Sequence, residues 1–277
     1  MILIDNSQLF FSSYFSHGNS AEQISDDLVR HTLLSQYSRI NEKFKSKFGE
    51  LVICNDSGNY WRKDVYSGYK QQRKEKRDKD PVNWINLYET FDKIRDEIRD
   101  NLPYKSIRVD RCEADDIMYV LCKNFSYEQK ILIVSSDKDM LQLLKFNNVS
   151  IFNPRLDKII QGVTDIDSIL FEHILKGDAS DNIPNILTDS DLFLKKTERQ
   201  KPMTIKKIQQ FKLDKSILDE NNFKRNRNLI DMTYIPIEYQ DTILDTFNSV
   251  PCPDRKLIFD YLVSNKMKLI LEHVENL

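Results

Sequence analysis

Residues 107–139 read IRVDRCEADDIMYVLCKNFSYEQKILIVSSDKD. Two short apolar runs, 107–109 and 131–134, bracket the stretch 114–125, where apolar residues return every three to four positions. Strand, helix, strand is the economical reading. The alternation extends in both directions, with strand signals at 2–4, 51–54 and around 149–152 and helical periodicity at 24–44 and 84–102. Strands that alternate with crossover helices pair in parallel, so the expected fold is α/β, a mostly parallel central sheet flanked by helices. Beyond about Asn182 the strand signal fades. Segments 204–211, 223–232, 239–247 and 255–266 read as short helices, separated by Pro236, Pro251 and Pro253. The expected organisation is an α/β domain over 1–182, with a basic, arch-like segment at about 60–83, and a helical C-terminal domain over 183–277.

A chain of 277 residues suits one α/β core with an annex. Its composition, 40% hydrophobic and 30% charged with a mean hydropathy of -0.53, is that of a protein held by an ordinary buried core. No apolar run approaches the roughly 18 residues of a membrane span. The first strand signal begins directly after Met1, so no signal peptide is expected. Cys54, Cys112, Cys122 and Cys252 are scattered without C-x-x-C spacing, and His17, His31, His173 and His273 are equally dispersed. That pattern fits a reduced cytoplasm and argues against zinc or a disulfide framework. The net charge of -2 hides segregation: Arg62, Lys63, Lys70, Arg73, Lys74, Lys76, Arg77 and Lys79 stand against only Asp64, Glu75 and Asp78 in one stretch. Such a run is ordinarily a solvated face. Tyr60, Trp61, Tyr66 and Tyr69 interleave with it, either anchoring a loop or stacking on unpaired bases.

Acids stand at the carboxyl end of nearly every expected strand, the edge where open α/β sheets bind ligands. Asp5 follows 2–4, Asp56 follows 51–54, Asp137 and Asp139 follow 131–134, and Glu113, Asp115 and Asp116 open the helix after 107–109. Asp178 and Asp181 lie where the sheet gives way to the helical part. Each group alone has an ordinary explanation as a helix start, an N-cap or a turn. Their convergence does not, because carboxylates crowded at one edge repel one another unless cations neutralise them. With no His or Cys in a ligand-like pattern, Mg²⁺ is the expected partner, with Mn²⁺ able to substitute. Two such ions suit phosphodiester hydrolysis, and the basic run then suits a polyanionic substrate.

Leu3-Ile4-Asp5, Cys54-Asn55-Asp56 with Tyr60 to Asp64, Glu113-Ala114-Asp115-Asp116, Ser135 to Asp139 and Leu175 to Asn182 resemble, in order, the successive motifs of the 5′-nuclease (flap endonuclease) family. The likeness covers nearly the whole chain, including Tyr234-Ile235-Pro236 and Pro253 to Lys256, and is strongest to the ribonuclease H branch of the T-even bacteriophages. The resemblance implies that Asp5, Asp56, Glu113 and Asp115 hold a first metal and Asp115, Asp137, Asp139 and Asp181 a second. Asp116 and Asp178 would lie just outside. It also implies that Lys70 and Arg62 contact the scissile phosphate, with Lys63, Arg73, Lys74, Lys76 and Arg77 on the nucleic-acid backbone. The implied activity is Mg²⁺-dependent 5′ to 3′ exonuclease and flap endonuclease cleavage that removes RNA primers and 5′ flaps in DNA replication. The α/β part would be the nuclease domain and the helical part a DNA-binding domain. Implied partners are DNA and RNA–DNA duplexes with flaps, nicks or ends, a single-stranded DNA-binding protein and a sliding clamp, in the cytoplasm of an infected host cell.

Two features depart from the family pattern. The T-even branch has residues ahead of its first strand, so a clamp contact made through such a leader is not carried over. After Asn182-Ile183-Pro184 the chain runs Asn185 to Asp189 without the Gly-x-Gly pair that grips duplex backbone in many members. Lys195, Lys196, Lys206 and Lys207 are expected to take over that grip by side-chain contact. A PIN-like ribonuclease would share the acidic edge but not the long basic and helical parts, and a catalytically silent DNA-binding protein would have lost ligands.

Overall fold

The computed structural model describes residues 1–17, 24–190 and 199–277. Its strands are β1 (Ile2–Asp5), β2 (Leu51–Asn55), β3 (Lys105–Arg108), β4 (Ile131–Val134), β5 (Val149–Asn153) and β6 (Lys158–Ile160). They form one sheet in the order β3-β2-β1-β4-β5-β6, parallel throughout except for the antiparallel pair β5–β6. The mostly parallel sheet expected from the sequence is therefore present. β6 was not expected, because this short edge strand is largely exposed and carries no buried apolar run.

The helices are α1 (Asn6–Phe15), α2 (Asp26–Phe48), α3 (Arg62–Val65), α4 (Gln71–Arg77), α5 (Trp84–Asn101), α6 (Ala114–Phe125), α7 (Ile166–Lys176), α8 (Ile205–Leu213), α9 (Glu220–Ile230), α10 (Ile237–Ser249), α11 (Leu257–Ser264) and α12 (Lys268–Leu271). After β6 the described residues contain helices and no further named strand, as expected. α1 was not expected: its serines and clustered aromatics obscure the helical period, and its start is fixed by Asp5, which ends β1 and caps α1.

Contacts divide the chain into two units, neither of them a continuous segment: Met1–Gly58 with Pro81–Gly162 and Glu238–Leu277, and Asn59–Asp80 with Val163–Ile237. The division differs from the expected boundary between 182 and 183 because two segments pack with partners distant in sequence. In the first unit Ile2 and Ile4, Leu51 and Ile53, and Leu132 and Val134 join one core with residues of α1, α2, α5, α11 and α12. The intervening Leu3, Val52 and Ile133 are equally buried and face the other way, where α6 contacts β1 and β2. Arg30, almost fully buried, binds Glu97 through Nε at 2.6 Å and Nη2 at 2.9 Å, and Tyr261 Oη donates to Glu97 at 3.0 Å. That ionic knot ties α2, α5 and α11 together. In the second unit Tyr66 and Tyr69 of the basic segment share a core with Ile174, Ile183, Leu229 and Ile230.

Candidate active site

β1, β2 and β4 are neighbours at the centre of the sheet and run in parallel, so the acids that follow them emerge at one edge. Asp5 Oδ1 accepts from the Gln8 amide at 3.0 Å and Oδ2 from Ser135 Oγ at 3.3 Å. Asp56 Oδ1 accepts from the Ala114 amide at 2.9 Å and Oδ2 from Ser7 Oγ at 2.6 Å, which ties the end of β2 to the first turns of α1 and α6. Asp137 caps the 3₁₀ turn Lys138–Lys145 through the Asp139 amide at 2.9 Å. Glu113 and Asp116 form a capping box at the start of α6, with Asp116 Oδ2 accepting from the Glu113 amide at 2.9 Å. Asp116 is fully buried and Asp115 half-buried.

Several acids are thus helix caps, and they converge as well. Burial, and after it the charges of Asp56 and Asp137, push the Asp5 carboxyl up to about 7. The Cys54 thiol is raised well above its ordinary value by burial and then by Asp5, with Asp115 and Asp56 adding to it. The fields of four sequence-predicted acids therefore overlap within the sheet unit. A buried amide floor links the residues next to Asp5 and Asp56. Asn6 Nδ2 donates to Asn55 Oδ1 at 2.7 Å, Tyr37 Oη donates to Asn6 Oδ1, and Asn55 Nδ2 donates to Ser106 Oγ at 3.1 Å.

In the second unit, Gly177 to Ile183 forms a tight loop closed by mutual Asp178–Ile183 backbone bonds of 2.9 and 2.7 Å. Gly177 has φ +66°, and a Cβ there would lie 2.4 Å from the Ile183 carbonyl oxygen, so only glycine fits. Asp178 Oδ1 accepts from the Ser180 amide at 2.7 Å and Oδ2 lies 3.2 Å from His173 Nε2. Asp181 lies 3.7 Å from Lys70 Nζ and accepts from Arg73 at 2.5 Å and Tyr69 Oη at 3.2 Å. The Lys70 amide donates to the Asp181 carbonyl at 2.9 Å, and Lys70 itself is left-handed at φ 57°. Its ammonium lies 5.1 Å from both the Tyr60 and Tyr69 ring centroids. These contacts hold Lys70 in a conformation a non-glycine residue seldom adopts.

Arg62 requires a correction. It is 4% exposed, its Nε donates to the Leu229 carbonyl at 3.0 Å and its guanidinium lies 4.5 Å from the Trp61 ring. Those contacts make it an internal fastener instead of a phosphate contact. Lys63, Arg73, Lys74 and Lys76 are exposed and Arg77 half-buried, and α4 has no buried residue. Lys206 is exposed, whereas Lys207 is half-buried with Nζ 3.3 Å from the Pro202 carbonyl. Lys195 and Lys196 lie outside the described residues. Sequence reasoning did not anticipate Ser7, Ser135, His173 or the amide floor. Only Asn6 and Asn55, flanking the first two acids, carried a local signal.

The first family model to match, over residues 1–170, is the 5′-3′ exonuclease N-terminal resolvase-like domain; a second, the T4 RNase H C-terminal domain, matches 162–277. The chain is 33% identical to Ribonuclease H of Enterobacteria phage T4, over 94% of this chain and 90% of that protein. It is 29% identical to a 5′-3′ exonuclease of Buchnera aphidicola, over 67% of this chain and 65% of that one. The fold matches the T5 D15 protein co-crystallised with metal ions at a TM-score of 0.65 and 16% identity, over 90% of this chain and 97% of that one. It also matches the T5 5′-exonuclease with bound divalent zinc at a TM-score of 0.63 and 18% identity, over 96% and 99%. This chain, with its acid-lined sheet edge, is a nuclease that belongs to the 5′-3′ exonuclease family, in the branch that joins the resolvase-like domain to the C-terminal domain of T4 RNase H.

Proposed function

We propose that this nuclease removes RNA primers and 5′ flaps in DNA replication, cutting phosphodiester bonds near a 5′ end with two Mg²⁺ ions. The observation that carries the reading is the set of acids around Asp5, an all-oxygen donor set in which burial and the charges of Asp56 and Asp137 raise the proton affinity of Asp5. The hydrogen-bond donors given above for Asp5, Asp56 and Asp137 are neutral, which leaves their charge for a cation. Asp5, Asp56, Glu113 and Asp115 would hold one ion, and Asp115, Asp137, Asp139 and Asp181 serve the other. Bound there, such ions supply charge neutralisation at the phosphate and a more acidic water. The protein's own part is to fix the acids through Ser7, Ser135, Gln8 and the Ala114 amide, and to hold Lys70 for the developing negative charge.

The sheet-bearing part acts as the nuclease domain and the helical part as the duplex-binding domain. Lys63, Lys74, Lys76 and Arg77 attract backbone phosphate, Arg73 joins them on leaving Asp181, and Lys195, Lys196, Lys206 and Lys207 hold the duplex. A single-stranded DNA-binding protein and a sliding clamp are the proposed partners in the cytoplasm of an infected cell. Among the described residues no helix is long and apolar enough to cross a membrane. The decisive experiment presents 5′-labelled flap, nicked and RNA-primed duplexes with and without Mg²⁺. Short 5′ products that appear only with the metal are expected; metal-independent cutting, or none on any of the three, would overturn the reading.

A further inference from the structure

Asp178 and Asp181 sit on a loop whose two ends pass so close that a Cβ on Gly177 would lie 2.5 Å from the Pro184 carbonyl oxygen. A regular α7 would give the Ile174 carbonyl to the amide of Asp178, four residues on. That amide donates to the Ile183 carbonyl instead, at 2.9 Å, as part of closing the loop. The Ile174 carbonyl is taken up from α9, where Asn226 Nδ2 donates to it at 2.8 Å and to the Pro184 carbonyl at 2.8 Å. A carboxamide nitrogen has two hydrogens, and both are used. One fully buried side-chain amide thus bridges the chain entering the loop and the chain leaving it.

Arg225, the neighbouring residue, fixes that amide. Its Nε donates to Asn226 Oδ1 at 2.9 Å, which sets the oxygen toward the guanidinium and the nitrogen toward the two carbonyls. Its Nη2 donates to the Pro184 carbonyl at 3.2 Å, and its Nη1 to Asn222 Oδ1 at 2.8 Å and Ser190 Oγ at 2.9 Å. Arg225 is 8% exposed, and each of these acceptors is neutral. Neutral oxygens offset little of the cost of burying a charge, so stability alone does not account for an arginine here. At its tip the loop is tied separately, by the Lys70 amide on the Asp181 carbonyl and by Asn182 Nδ2, which donates to the Gly68 carbonyl at 2.7 Å. The ends of the loop and its tip are therefore held by different parts of the unit.

We propose that Asn226 and Arg225 are positioning residues of the nuclease reaction, which pin the ends of this loop and thereby place Asp181 for its ion. The inference rests on the assignment of Asp181 to an ion under the function proposed above, and Asp181→Asn separates the two. With full-length protein, Mn²⁺ binding in the absence of DNA is followed by electron paramagnetic resonance. Single-turnover cleavage and Kd are measured on a 5′-flap duplex, below the melting temperature of every variant. Asn226→Asp keeps the side-chain shape and the Arg225 contact and removes both donors. It is expected to weaken one Mn²⁺ site and to lower the rate at saturating substrate, each about tenfold, with Kd for the flap unchanged. Arg225→Lys keeps the charge and loses the fork; a loss of the same kind is expected, and this variant carries the test where Asn226→Asp does not fold. The double variant loses no more than Asn226→Asp alone, because both side chains act through the same loop ends. The inference is overturned if either folded variant lowers the melting temperature and leaves Mn²⁺ binding and rate as in wild type, or if the two losses multiply. If Asp181→Asn itself leaves Mn²⁺ binding and rate unchanged, the ion assignment falls and the positioning role with it.

Discussion

Asp115 stands one residue inside α6, half-buried, and its charge reaches the Cys54 thiol together with those of Asp5 and Asp56. Replacing it by alanine removes the acid placed to serve both proposed ions while leaving the Glu113–Asp116 capping box in place. Single-turnover cleavage is expected to fall at least about a hundredfold, roughly 2.7 kcal/mol of barrier, with substrate affinity retained; turnover near wild type would refute the assignment. Asp5 makes a prediction about pH. Its folded carboxyl titrates near 7, above the ordinary 3.8, so the folded state binds this proton more tightly than the unfolded chain. The associated stability is complete below about pH 4 and is lost as pH rises through 7. In chelator, Asp5→Asn is therefore expected to raise the melting temperature at pH 8 and to flatten its decline between pH 4 and 8. An unchanged melting profile would show that the acids do not strain one another. These two acids were legible because strand runs and acids adjoin in the sequence. The burial of Arg62 was not, since a cation on the Leu229 carbonyl leaves no local pattern.

α4 has no buried residue, whereas Lys70, at its N-terminal cap, is tied to Asp181 through backbone and side chain. The element therefore divides into an anchored root and a solvated body, and kinetics should divide likewise. Lys70→Ala is expected to lower the single-turnover rate at saturating substrate. Lys76→Ala should weaken binding and flatten its salt dependence by about one phosphate contact, with the rate at saturation unchanged. If Lys70→Ala changed only affinity, its role at the phosphate would be wrong. The basic run, α6 and the central strands could be read from periodicity and charge because each is a local pattern. The packing of Tyr66 and Tyr69 on Ile174 and Leu229 could not, because it joins residues far apart in sequence with no shared period. β6 and α1 stayed hidden for related reasons, one too short and exposed, the other begun by the acid that ends a strand.

For the molecule as a whole, the proposed metal site would make the fold a better cation receptor than its unfolded chain. Millimolar Mg²⁺ is expected to raise the unfolding temperature and chelator to reverse the rise. At a concentration a hundred times Kd the gain is about 2.7 kcal/mol. A melting curve indifferent to Mg²⁺ would leave the acids as caps and nothing more. The α/β class and the helical C-terminal part were legible from the alternation and its end. Where Ile258, Tyr261 and Met267 go was not, since an apolar helix face does not name the surface it covers, and these enter the core of the sheet unit.

The division of the chain has a consequence for its synthesis. The polypeptide passes from one unit to the other at 58/59, 80/81, 162/163 and 237/238, and Ile2 and Leu277 belong to one core. Translation delivers about 5–20 residues per second, so the nascent sheet waits seconds for the segment that completes it. Until then its apolar face stays open on the ribosome, and the closing contacts are of the long-range kind that form slowly. A ribosome stalled before residue 238 would hold a chain with its acids already translated and their scaffold unfinished.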